Sequence, residues 1–155
     1  MERILITGAL GQLGQEFIKF FNKNNTYVLA TDIRSPLKVL SCDFEIADAM
    51  DEKRIDYLIK KNNINVVYHL VAVLSANGEK NPFMAWEINM KSFQNIINLS
   101  INNGIKKIFW PSSIAVFGTK SNLSFVKQDC ILNPNTIYGI SKLAGERLID
   151  YYNNK

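Results

Sequence analysis

A glycine-rich turn between an apolar run and an amphipathic segment is the feature that most constrains the fold of this chain. Residues 3–7, RILIT, form a short apolar run, and residues 11–25, GQLGQEFIKFFNKNN, carry apolar side chains in a helical stripe. Gly8, Gly11 and Gly14 punctuate the passage from one to the other. A strand that turns tightly into a helix predicts the first βα unit of a parallel sheet, with the helix N-terminus placed to bind a phosphate.

Apolar runs and amphipathic segments alternate along the rest of the chain. Predicted strands cover 27–33, 44–48, 65–72 and 106–113, and predicted helices cover about 51–61, 82–103 and 135–153. The strands are nearly continuous runs of Val, Ile and Leu, which is typical of parallel strands covered on both faces. We therefore predict the α/β class, a Rossmann-type doubly wound sheet of about five parallel strands in the order 3-2-1-4-5. The irregular segment 118–135 is expected to lie as a loop over the carboxyl ends of the strands.

Composition narrows the class of protein. The 155 residues, 47% of them hydrophobic, are enough for one domain, so we predict a single domain over 1–155. The net charge is +4, but the basic residues are scattered, so no nucleic-acid partner is expected. No apolar run is long enough to span a membrane and no leader is recognisable, so we expect no membrane partner and a cytoplasmic location. Cys42 and Cys130 are expected to be reduced thiols, and His69 has no second ligand nearby, so no metal site is predicted.

The glycines and an aspartate together predict a dinucleotide site. Gly8 permits the tight turn, Gly11 lets backbone N–H groups approach a pyrophosphate, and Gly14 lets the helix pack close to the sheet. Asp32 ends the second predicted strand, where its carboxylate can accept both hydroxyls of an adenosine ribose. Because this carboxylate would repel the 2′-phosphate of NADP, we predict NAD, although Arg34 nearby argues for NADP.

Tyr138 and Lys142 predict an acid–base pair on the last helix. A tyrosine, with an unperturbed pKa of about 10, can act as a base near neutral pH only if a positive charge lowers that pKa. A lysine four residues on lies on the same helix face and supplies the charge. Ser112 and Ser113 end the fifth predicted strand, at the sheet edge where ligands bind in this fold, and can hold a substrate oxygen.

The same spacing occurs twice more, so spacing alone does not identify the pair. Tyr57 with Lys61 lies among apolar residues that are expected to face the core, and Tyr151 with Lys155 lies at the end of the chain. We predict that both are structural.

The motifs in combination resemble a known superfamily. TGALGQLG, Asp32, HLVA at 69–72, the serine pair and YGISK at 138–142 are similar to the extended short-chain dehydrogenases/reductases, which include the NAD-dependent epimerases and dehydratases. The segments VLSANGEKNPFMAWEINMKS, IKKIFWPSSIAVFG and TIYGISKLAGER resemble the epimerase-like L-threonine 3-dehydrogenases. The resemblance implies an oxidoreductase of threonine catabolism that converts the 3-hydroxyl of L-threonine to a ketone with NAD, giving 2-amino-3-oxobutyrate.

The resemblance also implies roles for individual residues. Tyr138 would be the general base, Lys142 would lower its pKa and bind the nicotinamide ribose, and Ser113, rather than Ser112, would hydrogen-bond the substrate hydroxyl. Ser75 would contact the substrate. The implied cofactor-binding residues are Gly8, Gly11, Gln12, Leu13, Gly14, Asp32, Ile33, Asp48, Leu70, Ala72, Asn89 and Lys142.

Two of these roles have alternatives. Asp48 matches the carboxylate that contacts adenine, whereas Asp51 is expected to cap the following helix. Asn89 matches an asparagine that bridges the fourth helix and the active-site strand, but the pattern also allows a solvated helix residue.

Three interpretations remain open, because members of the family continue into a second half that holds the substrate lobe. The chain is a truncated or split L-threonine dehydrogenase whose lobe a second polypeptide supplies, a sugar-nucleotide epimerase or dehydratase, or a non-catalytic NAD-binding half-enzyme. The loop 119–130 also lacks the prolines of the family. The superfamily's fourth and fifth helices commonly pair across a two-fold axis, and FMAWEINMKSFQNIINL, residues 83–99, has enough apolar surface for such pairing, so we expect a homodimer.

Overall fold

A computed structural model describes residues 1–118 and 126–154 of the chain. Contacts divide it into two compact units: unit 1 comprises Met1–Val71 with Ser92–Pro111, and unit 2 comprises Ala72–Lys91 with Ser112–Lys155. The assignment of the whole chain to one domain stays a prediction. The predicted loop 118–135 falls partly outside the described residues, as does Lys155 of the third Tyr-x-x-x-Lys pair.

Unit 1 contains a five-stranded parallel sheet. Its strands are β1 (Arg3–Thr7), β2 (Tyr27–Asp32), β3 (Asp43–Ile46), β4 (Val66–His69) and β5 (Lys107–Phe109). They are arranged in the order β3-β2-β1-β4-β5, and every neighbouring pair is parallel. The predicted fold class and strand order are therefore confirmed.

Helices of unit 1 cover both faces of this sheet. They are α1 (Gln12–Lys23), α2 (Glu52–Lys61) and, after the intervening helices of unit 2, α5 (Ser92–Asn103). Successive side chains of a strand point to opposite faces. In β1, Ile4 and Ile6 belong to the core that α1 covers, whereas Leu5 belongs to the core that α2 and α5 cover, and all three are fully buried. Both faces of the strand are buried, which explains its continuous apolar run.

The three helices of unit 1 end in the same backbone motif. Just after the end of each helix, one residue adopts a left-handed backbone conformation. These residues are Asn25 at φ 50°, Asn63 at φ 50° and Gly104 at φ 65°. The next N–H in each case donates to a carbonyl five residues back, as Thr26 does to Phe21 at 3.1 Å. This is the Schellman motif, which satisfies the last helical carbonyls and turns the chain toward the next strand.

All four predicted strands after the first run past the observed ends, and two of them do so by more than two residues. The fourth was expected over 65–72, but β4 stops at His69 because β1, its partner, turns away at Gly8 after the Thr7–His69 register pair. The fifth was expected over 106–113, but β5 pairs only as far as Phe109. Pro111, which has no N–H to donate to a ladder, follows two residues later.

The helices of unit 2 are shorter and less regular, apart from the last. They are α3 (Ser75–Gly78), α4 (Pro82–Trp86), a π-helical turn (Glu87–Lys91), a 3₁₀ turn (Ile114–Val116) and α6 (Ile137–Asn153). The helix predicted over 82–103 is realised as α4, the π-helical turn and α5 in succession, and the sequence did not predict the π-helical turn. Its predicted start is confirmed, since the Asn81 side chain accepts from Met84 N–H at 3.2 Å and Pro82 stands in the first turn.

Within unit 2, α6 packs closely on the 3₁₀ turn. A Cβ placed on Gly139 would lie 2.4 Å from the Ala115 carbonyl oxygen, so a glycine is needed for this approach. The N-terminus of α6 is capped twice: the Thr136 hydroxyl accepts from Gly139 N–H at 3.0 Å, and Glu79 accepts from Ile137 N–H at 2.9 Å. Among residues 1–118 and 126–154, no helix is both long and apolar enough to cross a membrane.

Candidate active site

The glycine turn of unit 1 depends on the absence of side chains. Gly8 has φ +69°, and a Cβ there would lie 3.0 Å from Val71 N. A Cβ on Gly14 would lie 2.4 Å from the carbonyl oxygen of Ala9. The first glycine therefore permits the turn, and the third permits α1 to begin directly against the β1 end.

The N-terminus of α1 is left open to an anion. Gly11 is its N-cap and provides no side-chain cap, and the first turn contains no acidic residue. Gln12 and Leu13 follow it and are exposed. Backbone N–H groups at an uncapped helix N-terminus favour a bound phosphate, so this end of α1 fits the pyrophosphate of a dinucleotide.

Asp32 ends β2 as a buried carboxylate within this turn region. Its Oδ2 accepts from Leu10 N–H at 3.1 Å, and its Oδ1 accepts from the Arg34 N–H at 3.1 Å and from Arg34 Nε at 3.0 Å. Burial alone would raise the pKa of Asp32, but the hydrogen bonds from Arg34 and Leu10 outweigh it and hold this pKa below its usual value. The group is therefore a stable carboxylate at neutral pH.

A cavity lies in the same region. It has a volume of about 560 Å³ and is lined by Leu10, Arg34, Pro36 and Leu40, among others. A pocket of this size with mostly apolar walls suits an adenosine group. Ile33, which lies between Asp32 and Arg34 in the sequence, is 67% exposed.

Two aspartates, Asp48 and Asp51, follow β3, and the structure tests the predicted role of the second. Asp51 is the N-cap of α2 and accepts from Arg54 N–H at 3.0 Å, which confirms its predicted cap role. Asp48 is exposed, and its Oδ1 accepts from Met50 N–H at 2.9 Å. Its contact with adenine stays a prediction.

His69 is fully buried in a hydrogen-bonded chain at the end of β4. Its Nδ1 lies 2.7 Å from the Thr7 hydroxyl and its Nε2 lies 3.1 Å from the Ser92 hydroxyl. The histidine thus ties β4 to β1 and to α5, and Leu70 follows it half-buried.

Tyr138 and Lys142 lie together on α6 in unit 2. The Nζ atom of Lys142 is 5.6 Å from the centroid of the Tyr138 ring. Lys61 lies at the same 5.6 Å from the ring of Tyr57, so distance does not separate the two pairs. Burial does: Lys142 is 3% exposed, whereas the Lys61 side chain is 51% exposed and lies 3.7 Å from Glu45.

The burial of Lys142 changes its acid–base behaviour. Removal from water disfavours the ammonium form and lowers the pKa of Lys142 from 10.5 to about 8. The structure thus places a lysine with a strongly lowered pKa beside the ring of Tyr138.

Asn89, in the π-helical turn, is a buried connector and not a solvated helix residue. Its Oδ1 accepts from Val73 N–H at 2.7 Å, and its Nδ2 donates to Val73 C=O at 3.1 Å and to the Ser141 hydroxyl at 3.2 Å. The Ser141 hydroxyl donates in turn to Tyr138 C=O at 2.7 Å. One asparagine thus fixes the segment that holds Ala72 and, through a serine, the first turn of α6.

The two adjacent serines have different partners. The Ser112 hydroxyl donates to Glu146 on α6. The Ser113 hydroxyl accepts from Ala115 N–H at 3.2 Å, which leaves its own proton to be donated to another acceptor. Ser113 is therefore the better hydrogen-bond donor for a ligand, as the resemblance implies.

The structure groups the predicted residues by unit. Unit 1 holds the glycine turn with Asp32, Ile33, Asp48 and Leu70, and unit 2 holds Ala72, Ser75, Asn89, Ser113, Tyr138 and Lys142. Ser75 is the first residue of α3 and is partly buried. Sequence reasoning missed Ser141 and Glu146. Ser141 stands between the tyrosine and lysine of the motif, but its partner is distant in sequence.

A family model and curated relatives match this chain along its whole length. The model of the NAD dependent epimerase/dehydratase family matches residues 4–155. An uncharacterised epimerase/dehydratase of Staphylococcus saprophyticus is 39% identical over 160 residues, which cover 100% of this chain and 50% of the relative. This chain thus spans about half the length of the curated relatives it matches.

Solved structures extend the comparison. The holo form of a GalE-like L-threonine dehydrogenase from Cupriavidus necator superposes with a TM-score of 0.94 at 35% identity, covering 99% of this chain and 51% of that chain. The L-threonine dehydrogenase of Clostridium difficile superposes with a TM-score of 0.92 at 38% identity, covering 100% of this chain and 50% of that chain.

Proposed function

The chain belongs to the NAD dependent epimerase/dehydratase family, and from this premise we propose that it oxidises the 3-hydroxyl of L-threonine to 2-amino-3-oxobutyrate with NAD. The observation that carries the proposal is the buried Lys142 beside Tyr138 on α6. The similarity to solved L-threonine dehydrogenases at 35% and 38% identity supports the choice of substrate.

The residues of unit 1 fit the cofactor that we propose. The uncapped start of α1 suits the pyrophosphate, the cavity beside Arg34 suits the adenine, and the buried Asp32 carboxylate suits the ribose hydroxyls. The same carboxylate disfavours a 2′-phosphate, so NAD is proposed over NADP. When bound, NAD supplies the acceptor for the hydride that leaves C3 of threonine.

In the proposed reaction Tyr138 moves the proton. Its phenolate takes the proton of the threonine 3-hydroxyl while the C3–H bond breaks with its electron pair, so that the C–O bond becomes a carbonyl. The Lys142 ammonium stabilises the phenolate, and the Ser113 hydroxyl donates to the substrate oxygen and holds it near the base. Asn89 and Ser141 hold the turn of α6 that bears Tyr138.

The partners of the chain belong to the same proposal. The matched relatives are about twice as long, and we propose that the groups which bind the amino-acid end of threonine come from sequence equivalent to their second half. We also propose a homodimer through the region from Pro82 to Asn103. Phe83, at 91% exposure, Met84 and Trp86 provide apolar surface on α4.

A cofactor titration followed by two activity assays tests the proposed function. The binding of NADH to the purified chain is titrated first. NAD and L-threonine are then added to a fresh sample while the absorbance of NADH is followed, and a parallel sample with NAD and UDP-glucose is analysed for the C4 epimer of the sugar nucleotide, because epimerisation produces no net NADH. NADH formation from threonine that Tyr138→Phe abolishes is the expected result. Cofactor binding without turnover would favour the half-enzyme interpretation, and turnover of the sugar nucleotide alone would replace threonine dehydrogenase by epimerase.

A further inference from the structure

The carboxylate of Asp32 already has a full set of hydrogen-bond donors. It accepts from Leu10 N–H at 3.1 Å, Arg34 N–H at 3.1 Å, Arg34 Nε at 3.0 Å and Arg34 Nη2 at 3.4 Å. An ionised carboxylate offers about four lone-pair positions. Two of these donors are backbone groups of the turn, and the other two belong to one guanidinium.

We propose that Arg34 is a built-in competitor of the cofactor, because its guanidinium occupies the Asp32 oxygens that the adenosine ribose hydroxyls require. The inference deepens the proposed function by naming a residue that sets the affinity for NAD. Binding of the ribose diol exchanges two hydrogen bonds from Arg34 for two from the ribose, whereas the backbone donors Leu10 and Arg34 N–H stay in place.

The exposure of the two partners makes this exchange feasible. The Arg34 side chain is 65% exposed, so the guanidinium can move into water without desolvation. Asp32 is 6% exposed and cannot be solvated in the same way, so it needs a replacement donor when Arg34 leaves. The ribose diol is such a donor, and each hydroxyl that binds lowers the cost of releasing the arginine.

A second basic residue at the same cavity serves as a control. It separates competition for the Asp32 carboxylate from the general attraction of a positive charge for the cofactor. Lys38 lines the same cavity and is exposed, but within residues 1–118 and 126–154 it makes no hydrogen bond or ion pair with Asp32. Both cations attract the anionic pyrophosphate over a distance, so loss of either charge lowers the affinity by that route. Only loss of Arg34 frees the carboxylate.

The test is a fluorescence titration of the full chain with NADH, using the wild type, Arg34→Gln and Lys38→Gln. We expect Arg34→Gln to bind NADH about three- to tenfold more tightly than the wild type, and Lys38→Gln to bind equally or more weakly. ADP and 2′,3′-dideoxy-ADP, titrated calorimetrically, identify the group responsible. The gain from Arg34→Gln is expected for ADP and absent for the dideoxy analogue, which has no hydroxyls for Asp32.

Each outcome decides the proposal. Equal or weaker NADH binding by Arg34→Gln, or a gain of the same size with the dideoxy analogue, overturns it. If the wild type does not bind NADH but Arg34→Gln does, the competition is established and is stronger than we expect. If neither binds NADH or ADP, the cofactor assignment fails together with the competition, whereas NADH binding with the wrong order of affinities overturns only the role of Arg34.

Discussion

Lys142 and Tyr138 lie on one face of α6 with the lysine Nζ 5.6 Å from the tyrosine ring centroid, and the lysine is only 3% exposed. The same sequence spacing at Tyr57 and Lys61 produces the same distance on an open surface. Tyr57 and Lys61 therefore serve as an internal control for Tyr138 and Lys142. The two pairs differ in whether the lysine is buried away from water.

Tyr138→Phe should remove activity without removing cofactor binding. The substitution deletes the oxygen that accepts the proton in the proposed reaction but keeps the ring beside Lys142. The rate of NADH formation from L-threonine should fall by about 10²- to 10⁴-fold, with NADH affinity unchanged. Tyr57→Phe should have the activity of the wild type, and a Tyr138→Phe enzyme with more than a tenth of that activity would contradict the role of base.

Lys142→Met should change how stability depends on pH. The pKa of Lys142 is about 8 in the folded chain and about 10.4 when unfolded, so between these values the unfolded chain binds more protons and wild-type stability rises with pH. Methionine removes this contribution. The stability of the variant minus that of the wild type should therefore fall by on the order of 3 kcal/mol from pH 7 to pH 10.5.

Urea unfolding at a series of pH values measures this difference, and taking it between variants cancels the titration of other groups. Lys61→Met, at a half-exposed position, is the control. A difference for Lys142→Met that is flat across the series would show that the ammonium is not buried in solution.

Asp32→Asn should reduce the preference for NADH over NADPH. The wild-type carboxylate, whose pKa lies below its usual value, is ionised throughout the neutral range and repels a 2′-phosphate. The amide keeps the size but loses the charge and one acceptor, so NADH affinity should fall about tenfold while NADPH affinity rises or holds. Parallel titrations with both nucleotides measure the ratio, with Asp43→Asn, an exposed carboxylate of β3, as control. An unchanged ratio would remove Asp32 from cofactor selection.

Gly14→Ala and Gly11→Ala should separate folding from cofactor binding. The Gly14 methyl would lie 2.4 Å from the Ala9 oxygen, so the free energy of unfolding should fall by about 1–3 kcal/mol. The Gly11 methyl would have its nearest contact at 3.2 Å, so stability should fall by less than about 1 kcal/mol while NADH affinity drops. Equal stability losses in the two variants would contradict this division.

Phe83→Glu should abolish the proposed homodimer. Phe83 is 91% exposed on α4, and a carboxylate at a buried two-fold contact would face its own symmetry mate. Sedimentation velocity over a concentration series should show a dimer for the wild type and a monomer for the variant. Leu37→Glu, at a fully exposed position of unit 1, should remain dimeric, and a monomeric wild type would end the proposal.

The sequence predicted the fold well because its signals are local. Apolar runs, glycine turns and the cap at Asp51 act within a few residues, and they predicted the five strands, while the doubly wound α/β class predicted their order. The strand ends were less accurate because a strand stops where its neighbour turns away, as β4 does beside Gly8.

The sequence indicated the residue types of the candidate site but not the contacts between them. The bond between Asn89 and Ser141 spans 52 positions and that between Ser112 and Glu146 spans 34, so no local pattern contains either. Burial is likewise a tertiary property, and for that reason three Tyr-x-x-x-Lys spacings could not be ranked by spacing alone.

The helix ends of unit 1 have a consequence for how the chain is made. Asn25, Asn63 and Gly104 each stop a helix through hydrogen bonds to carbonyls within the preceding five residues. Each of these stops needs only the next residue, whose N–H donates to the carbonyl five positions back. During synthesis, α1 and α2 can therefore terminate correctly while the strands that follow them are still being added at the ribosome.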